Sequence, residues 1–315
     1  MEQTDLLLGA LNAYIRQIYK LVFGKDFMTK RYAGKIILCS QKANSWLYKH
    51  ILSNAPFMAA RYGGVELKIM QEYILIQHGI KKNYDKNVIK MAKINAGVFD
   101  ANEDICKKFA LRMMSASGEV DLLGVWFNNY EDYMIKQYCR NSLLTDLGSL
   151  EPYWVRHKVP WTHALRGKKV LVVHPFDKSI SEQYKKKDLL FPDGLLPEFE
   201  LITFRAVQTI AGVRDDRFKT WFEALHYMEK EIRKIDFDIA IIGCGAYGFL
   251  LAEAVKKMGK QAIHLGGATQ ILFGIKGKRW DTEPTVSKLY NEHWVRPQKE
   301  ECPPQRRKVE SGCYW

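Results

Sequence analysis

Along this chain the spacing of apolar positions switches between a helical period and short continuous runs, and the switches predict most of its elements. Residues 6–23, LLLGALNAYIRQIYKLVF, place Leu7, Leu11, Ile15, Ile18 and Val22 at helical spacing. Such a stripe belongs to an amphipathic helix packed on the domain, with a membrane-surface helix as the alternative. Arg16, Gln17 and Lys20 interrupt the run and no small-residue cleavage site follows, so neither a spanning helix nor a signal peptide is expected. Residues 1–50 read as helical throughout, with a basic junction at Lys30 and Arg31. After Pro56 the run FMAARYGG predicts a strand, and a helix follows over about 65–79. Asn102 caps a helix expected to reach Ser115. DLLGVWF reads as a strand, YEDYMIKQYC as a short helix, and 141–166 as a looser segment rich in aromatics and turns.

From Lys168 a second series begins: strand KKVLVVHPF, helix SISEQYKKK, strand FELITFRAV, and a helix striped by Phe218, Trp221, Phe222, Leu225, Met228 and Ile232. Strand DIAIIG, a helix over FLLAEAVKKMGK and strand QAIHL complete it. Strands and helices alternating at this length predict an α/β fold, Rossmann-like, with a mostly parallel sheet covered by helices on both faces and a helical N-terminal extension. The expected division is 1–50 helical segment, 51–290 α/β domain and 291–315 tail. From Glu292 periodicity fades and Pro297, Pro303, Pro304, Arg306, Arg307 and Lys308 accumulate, so the tail is expected to be mobile or loosely docked.

In parallel sheets ligands sit beyond the carboxyl ends of strands. The candidate site residues are therefore Arg61 to Glu66, Trp126 to Asn129, His174 to Asp177, Gly243 to Gly248, and His264 to Gln270. Among these, Gly243, Gly245, Ala246, Tyr247 and Gly248 stand between an apolar strand and a helix. Glycines there allow a tight turn and close backbone approach, and the helix start offers unpaired N–H groups to a phosphate. A dinucleotide site would add an acid about 20 residues on for the ribose hydroxyls. Past Glu253 no acid occurs before Asp281, whereas Lys256, Lys257, Lys260, Lys276, Lys278 and Arg279 do. The pattern is a phosphate site without the ribose acid, which weighs against an NAD-dependent oxidoreductase.

Composition changes this picture little. A chain of 315 residues with 47% hydrophobic residues can fill a large core. Its 48 Lys and Arg against 35 Asp and Glu give +13, which favours polyanionic partners. No nucleic-acid recognition motif accompanies the charge. The six cysteines form no CxxC pair and no metal-ligand spacing, which suits a reducing cytoplasm. The aromatics at 126, 130, 153, 154 and 161 read mainly as core, with Trp126 to Asn129 as a possible site rim.

At the first strand end, Arg61 can offer a fixed fork of donors, Gly63 and Gly64 let a ligand approach, and Glu66 can accept a proton or hold a metal. The segment PFMAARYGGVEL resembles the N-terminal signature of the GT-D type glycosyltransferases, bacterial sugar transferases whose corresponding segment runs R-F-G-D-G-E. The run from Gly243 to Asp281 is similar to the C-terminal part of related proteins of bacterial surface-polysaccharide synthesis, and the resemblance spans about residues 50–285. Arg61, Tyr62, Gly63 and Glu66 fall on the family's R, F, G and E, and Gly64 falls on its Asp.

The resemblance implies a cytoplasmic enzyme, with peripheral contact at the inner membrane as a further expectation. It would move a sugar from a nucleotide-sugar donor to a growing surface glycan, free or lipid-linked. In the family the two acids are associated with donor and divalent cation, so Mg²⁺ or Mn²⁺ at Glu66 is an expectation weakened by Gly64. His174 and His264, each closing a strand, are candidates for base or phosphate ligand. Gly266, Gly267, Lys278 and Arg279 are candidates for holding the departing diphosphate. A non-catalytic nucleotide or sugar-phosphate binding module is the alternative.

Overall fold

The computed structural model describes residues 9, 11, 12, 14, 15, 18, 19, 21, 22, 30–154 and 159–315. Leu7 and the rest of 1–29 lie outside the described residues. Of the predicted N-terminal stripe, Leu11, Ile15, Ile18 and Val22 are helical but exposed, so the expected packing of that face on the domain is not found. No described helix is long and apolar enough to cross a membrane.

Nine described strands form one sheet: β1 (Arg31–Tyr32), β2 (Lys35–Leu38), β3 (Phe57–Arg61), β4 (Leu122–Val125), β5 (Leu143–Asp146), β6 (Lys169–His174), β7 (Glu200–Arg205), β8 (Ile239–Ile242) and β9 (Gln261–His264). Their order is β1-β2-β5-β4-β3-β9-β8-β6-β7. Only β1 and β2 pair antiparallel; every other pairing is parallel. The expected mostly parallel α/β sheet is therefore present. Two expectations need correction. Residues 31–38, read as part of a helical segment, form β1 and β2. Residues 143–146, read as loose, form β5. The short helix Lys86–Ile94, capped by Asp85, was not foreseen.

Strand residues alternate between two cores, as the two-residue side-chain period requires. Met58, Ala60, Leu171, Val173, Ala240 and Ile242 face one apolar cluster, and Phe57, Ala59, Val170, Val172, Ile239 and Ile241 face the other. The first is roofed by α2 (Gly64–Gln77), α3 (Lys86–Ile94), α4 (Glu103–Ser117), α5 (Glu131–Tyr138), α8 (Trp221–Ile232) and α9 (Tyr247–Lys257). On the second lie α1 (Ser40–Ser53), α6 (Asp177–Tyr184), α7 (Lys187–Leu190) and α10 (Ala268–Leu272). Helix α4 begins at Asn102, whose side chain accepts from the Ile105 N–H at 2.9 Å, as its sequence predicts.

The expected loose tail is docked. Trp294, Glu301, Val309 and Cys313 are buried. Glu301 accepts from the Ser179 and Gln298 N–H groups at 3.0 Å each, and from the Ser179 hydroxyl. Aperiodic sequence hid this because the anchors, apolar and polar alike, are scattered single residues rather than a stripe.

Strand order puts two crossings of chain direction at the centre. From β6 the chain moves outward to β7 and then returns past β6 to β8 and β9, while β3 leads away to β4 and β5. Crevices therefore open beyond the carboxyl ends of β6 and β8, and of β9 and β3.

Candidate functional site

Those four strand ends meet in one cleft of about 400 Å³. Arg61, Gly63, Gly64 and Glu66 reach it from β3, and His174 and Phe176 from β6. Gly243, Gly245 and Tyr247 reach it from β8, and His264, Gly266 and Gly267 from β9. Arg279 also lines it. Among the residues expected at a site, Tyr62, Phe127, Asn129, Asp177, Ala246, Gly248, Leu265, Ala268, Thr269 and Lys278 do not line the cleft. Ala246 is buried beneath the turn. Gly248 serves packing, since a Cβ there would lie 2.5 Å from His264 Nε2. The Lys278 Nζ donates instead to the Ser311 carbonyl at 3.2 Å.

The floor is glycine for steric reasons. A Cβ on Gly243 would stand 2.5 Å from both the Gly266 carbonyl oxygen and Thr269 Oγ1. Gly245 adopts φ 60° and is exposed to the cleft, a left-handed conformation that side chains resist. It turns the chain so that α9 begins at the cleft, and the first turn of a helix has N–H groups without intrahelical partners. The ring of Tyr247, expected to touch a ligand, is largely committed to the core. It stacks on Trp221 with centroids 4.5 Å apart, and its hydroxyl meets Thr209 Oγ1 at 3.0 Å.

Glu66 is only partly exposed at the wall. Burial pushes its carboxyl above the usual value, opposed by the backbone N–H groups of Glu66 and Val65 and by the Arg61 charge. The carboxylate thus folds over the first turn of its own helix, into the space above Gly63, where a Cβ would lie 1.9 Å from Oε2. An acid there is favoured by the helix dipole.

Arg61 donates from Nε to the Tyr62 carbonyl at 3.2 Å. Its guanidinium carbon stands 4.4 Å from the Trp126 ring centroid. Trp126 is 38% exposed, so it is rim and not core, whereas Tyr130, Tyr153 and Trp161 are buried as expected.

His174 accepts from the Phe176 N–H through Nδ1 at 3.0 Å. Its proton therefore sits on Nε2, and burial lowers the ring to about 3, which keeps it neutral near pH 7 and a donor rather than a base. His264 is likewise lowered to about 3, by burial and then by Arg61.

Several cleft residues escaped the sequence reading. Gln208 and Thr209 follow β7 and were findable by the same strand-end reasoning. Asn95 and Gly97 lie in the loop after α3, which carried no signal. Glu310, Tyr314 and Trp315 come from the docked tail. Arg279 hydrogen-bonds Glu310, stands 4.9 Å from the Tyr314 ring centroid, and its N–H bonds the Cys313 carbonyl at 2.9 Å.

Two solved structures are similar to this chain. Both are of domain of unknown function 1792. One, described as having a distinct glycosyltransferase fold, is 13% identical with a TM-score of 0.44. The other, a selenomethionine-substituted structure, is 14% identical with a TM-score of 0.42. Each comparison covers 90% of this chain and 97% of the other. No family model and no curated protein matches the chain.

The residues present do not fit a divalent cation held by the protein. Among the described residues no three His, Cys, Asp or Glu side chains gather as ligands. Glu310, the other carboxylate of the cleft, is paired with Arg279.

Proposed function

We propose that the chain is a glycosyltransferase that uses a nucleotide-sugar donor. The observation that carries the reading is the convergence of four strand-end loops on one cleft holding a carboxylate, a guanidinium, a neutral histidine donor and a glycine turn at a helix start. These are the groups that glycosyl transfer asks for. The acceptor hydroxyl oxygen bonds the anomeric carbon as the carbon–oxygen bond to the diphosphate breaks, and the electron pair leaves with the diphosphate. In this reading Glu66 takes the hydroxyl proton. Arg61 and the N–H groups of the Gly243–Tyr247 turn meet the growing negative charge, and His174 donates through Nε2. A growing surface glycan is the acceptor class that fits the sequence resemblance.

The test is a panel of sugar nucleotides scored for release of nucleoside diphosphate, with and without glycan acceptors. One donor is expected to turn over. Glu66→Gln should cut turnover by roughly a hundredfold or more while donor affinity stays close to wild type. Binding without turnover in the wild type would favour the non-catalytic module, and silence across the panel with folded protein would remove the reading.

A further inference from the structure

We propose that the cleft grips the donor's diphosphate without a divalent cation, through an Arg61 guanidinium that Trp126 positions. The inference rests on the donor reading above. Arg61 is confined on three sides. The Trp126 indole covers one face at 4.4 Å, the Tyr62 carbonyl takes Nε, and Gly266 lies so close that a Cβ there would be 3.1 Å from Nη1. Among the described residues no carboxylate forms a salt bridge with Arg61, so its two terminal nitrogens keep their donors for an incoming anion. A planar fork already held in place matches paired phosphate oxygens and loses little freedom on binding.

The same indole lies beside Gly64, which offers no second acid. Mg²⁺ commonly uses one or two carboxylates together with phosphate oxygens. Next to Glu66 the chain has Gly64, and a Cβ there would face Trp126 Cη2 and Cζ2 at 3.8 and 3.9 Å. Gly64 thus faces an aromatic ring that carries a cation, not a second ligand.

The loop bearing Trp126 is built to stay put. Phe127 and Tyr130 both hold φ near 60°, a costly conformation for such side chains. The buried Glu131 carboxylate accepts from the N–H groups of Trp126 at 3.3 Å and Asn128 at 3.0 Å. Trp126 therefore acts on the ligand through Arg61, as a positioning residue.

Calorimetric titration with uridine, guanosine and thymidine diphosphates, each in EDTA and in excess Mg²⁺ or Mn²⁺, tests this. The diphosphate that binds is expected to show the same Kd in both conditions. Arg61→Ala should weaken it by roughly tenfold or more. Trp126→Ala should weaken it by about two- to fivefold, and Trp126→Phe should recover most of that loss. The corresponding nucleoside should bind equally to all variants, which separates positioning of the phosphate ligand from a general loss of structure. Binding seen only with metal would overturn the proposal and leave the glycosyltransferase reading standing. A Trp126→Ala protein that binds the diphosphate as wild type does would also overturn it. Absence of diphosphate binding in both conditions removes the donor reading itself and this inference with it.

Discussion

Gly63 has no side chain, and the Glu66 carboxylate fills the space a Cβ would take. That contact sets where the acid sits. Because burial raises the Glu66 carboxyl, its charged form is lost at a higher pH than that of an ordinary glutamate. If it is the base, turnover rises with pH through that midpoint, and Glu66→Gln abolishes this limb of the pH–rate profile. The floor responds to volume instead of charge. Gly243→Ala forces a methyl against the Gly266 backbone and Thr269. It is expected to cost about 1–3 kcal/mol of stability, read from the denaturant midpoint, and to displace the turn enough to weaken nucleotide binding. The glycines of this turn were legible in sequence because only their pattern was needed. The reach of Glu66 back over Gly63 was not, since nothing in the spelling says which way a side chain folds.

Helix α9 starts at the cleft, and its other face is fixed by an ion cluster. Arg112 on α4 donates to Glu253 Oε2 at 2.6 Å, and Lys257 approaches the same carboxylate at 2.6 Å. Burial alone would raise the Glu253 carboxyl, but the hydrogen bonds from Arg112 and Lys257 hold it below the usual value. A carboxyl depressed in the fold contributes stability that is full above its unfolded value and is lost as pH falls through its folded value. Arg112→Met should therefore cost about 1–3 kcal/mol near neutral pH. Its penalty in chemical denaturation should shrink once Glu253 is protonated in both states. Periodicity found α4, α8 and α9 because each presents an apolar face to the sheet. It missed β1 and β2, which are short, half-buried and at or next to the sheet edge, and it missed β5 within an aromatic segment. An edge or brief strand has too few buried positions to impose a pattern.

At the scale of the whole molecule, the C-terminal residues return to the cleft that the strands open. Glu301 ties them to α6 through Ser179, and Gln270 Nε2 donates to the Tyr314 carbonyl at 3.1 Å. Glu301→Ala leaves the buried Ser179 N–H and hydroxyl without their acceptor, while the Gln298 N–H keeps Ser179 Oγ at 3.1 Å, a cost of about 1–3 kcal/mol. Limited proteolysis should then cut the C-terminal segment well before the sheet, while the wild type resists. What the sequence alone determined was the alternation of buried strands and covering helices and the two glycine elbows, because local period and glycine's freedom act over a few residues. Only the tertiary structure decided that Arg61 and Gly245, 184 positions apart in the numbering, face one cleft. It also placed Trp126 over Arg61 and Tyr314 in the wall, because strand order and side-chain direction arise from packing between distant segments.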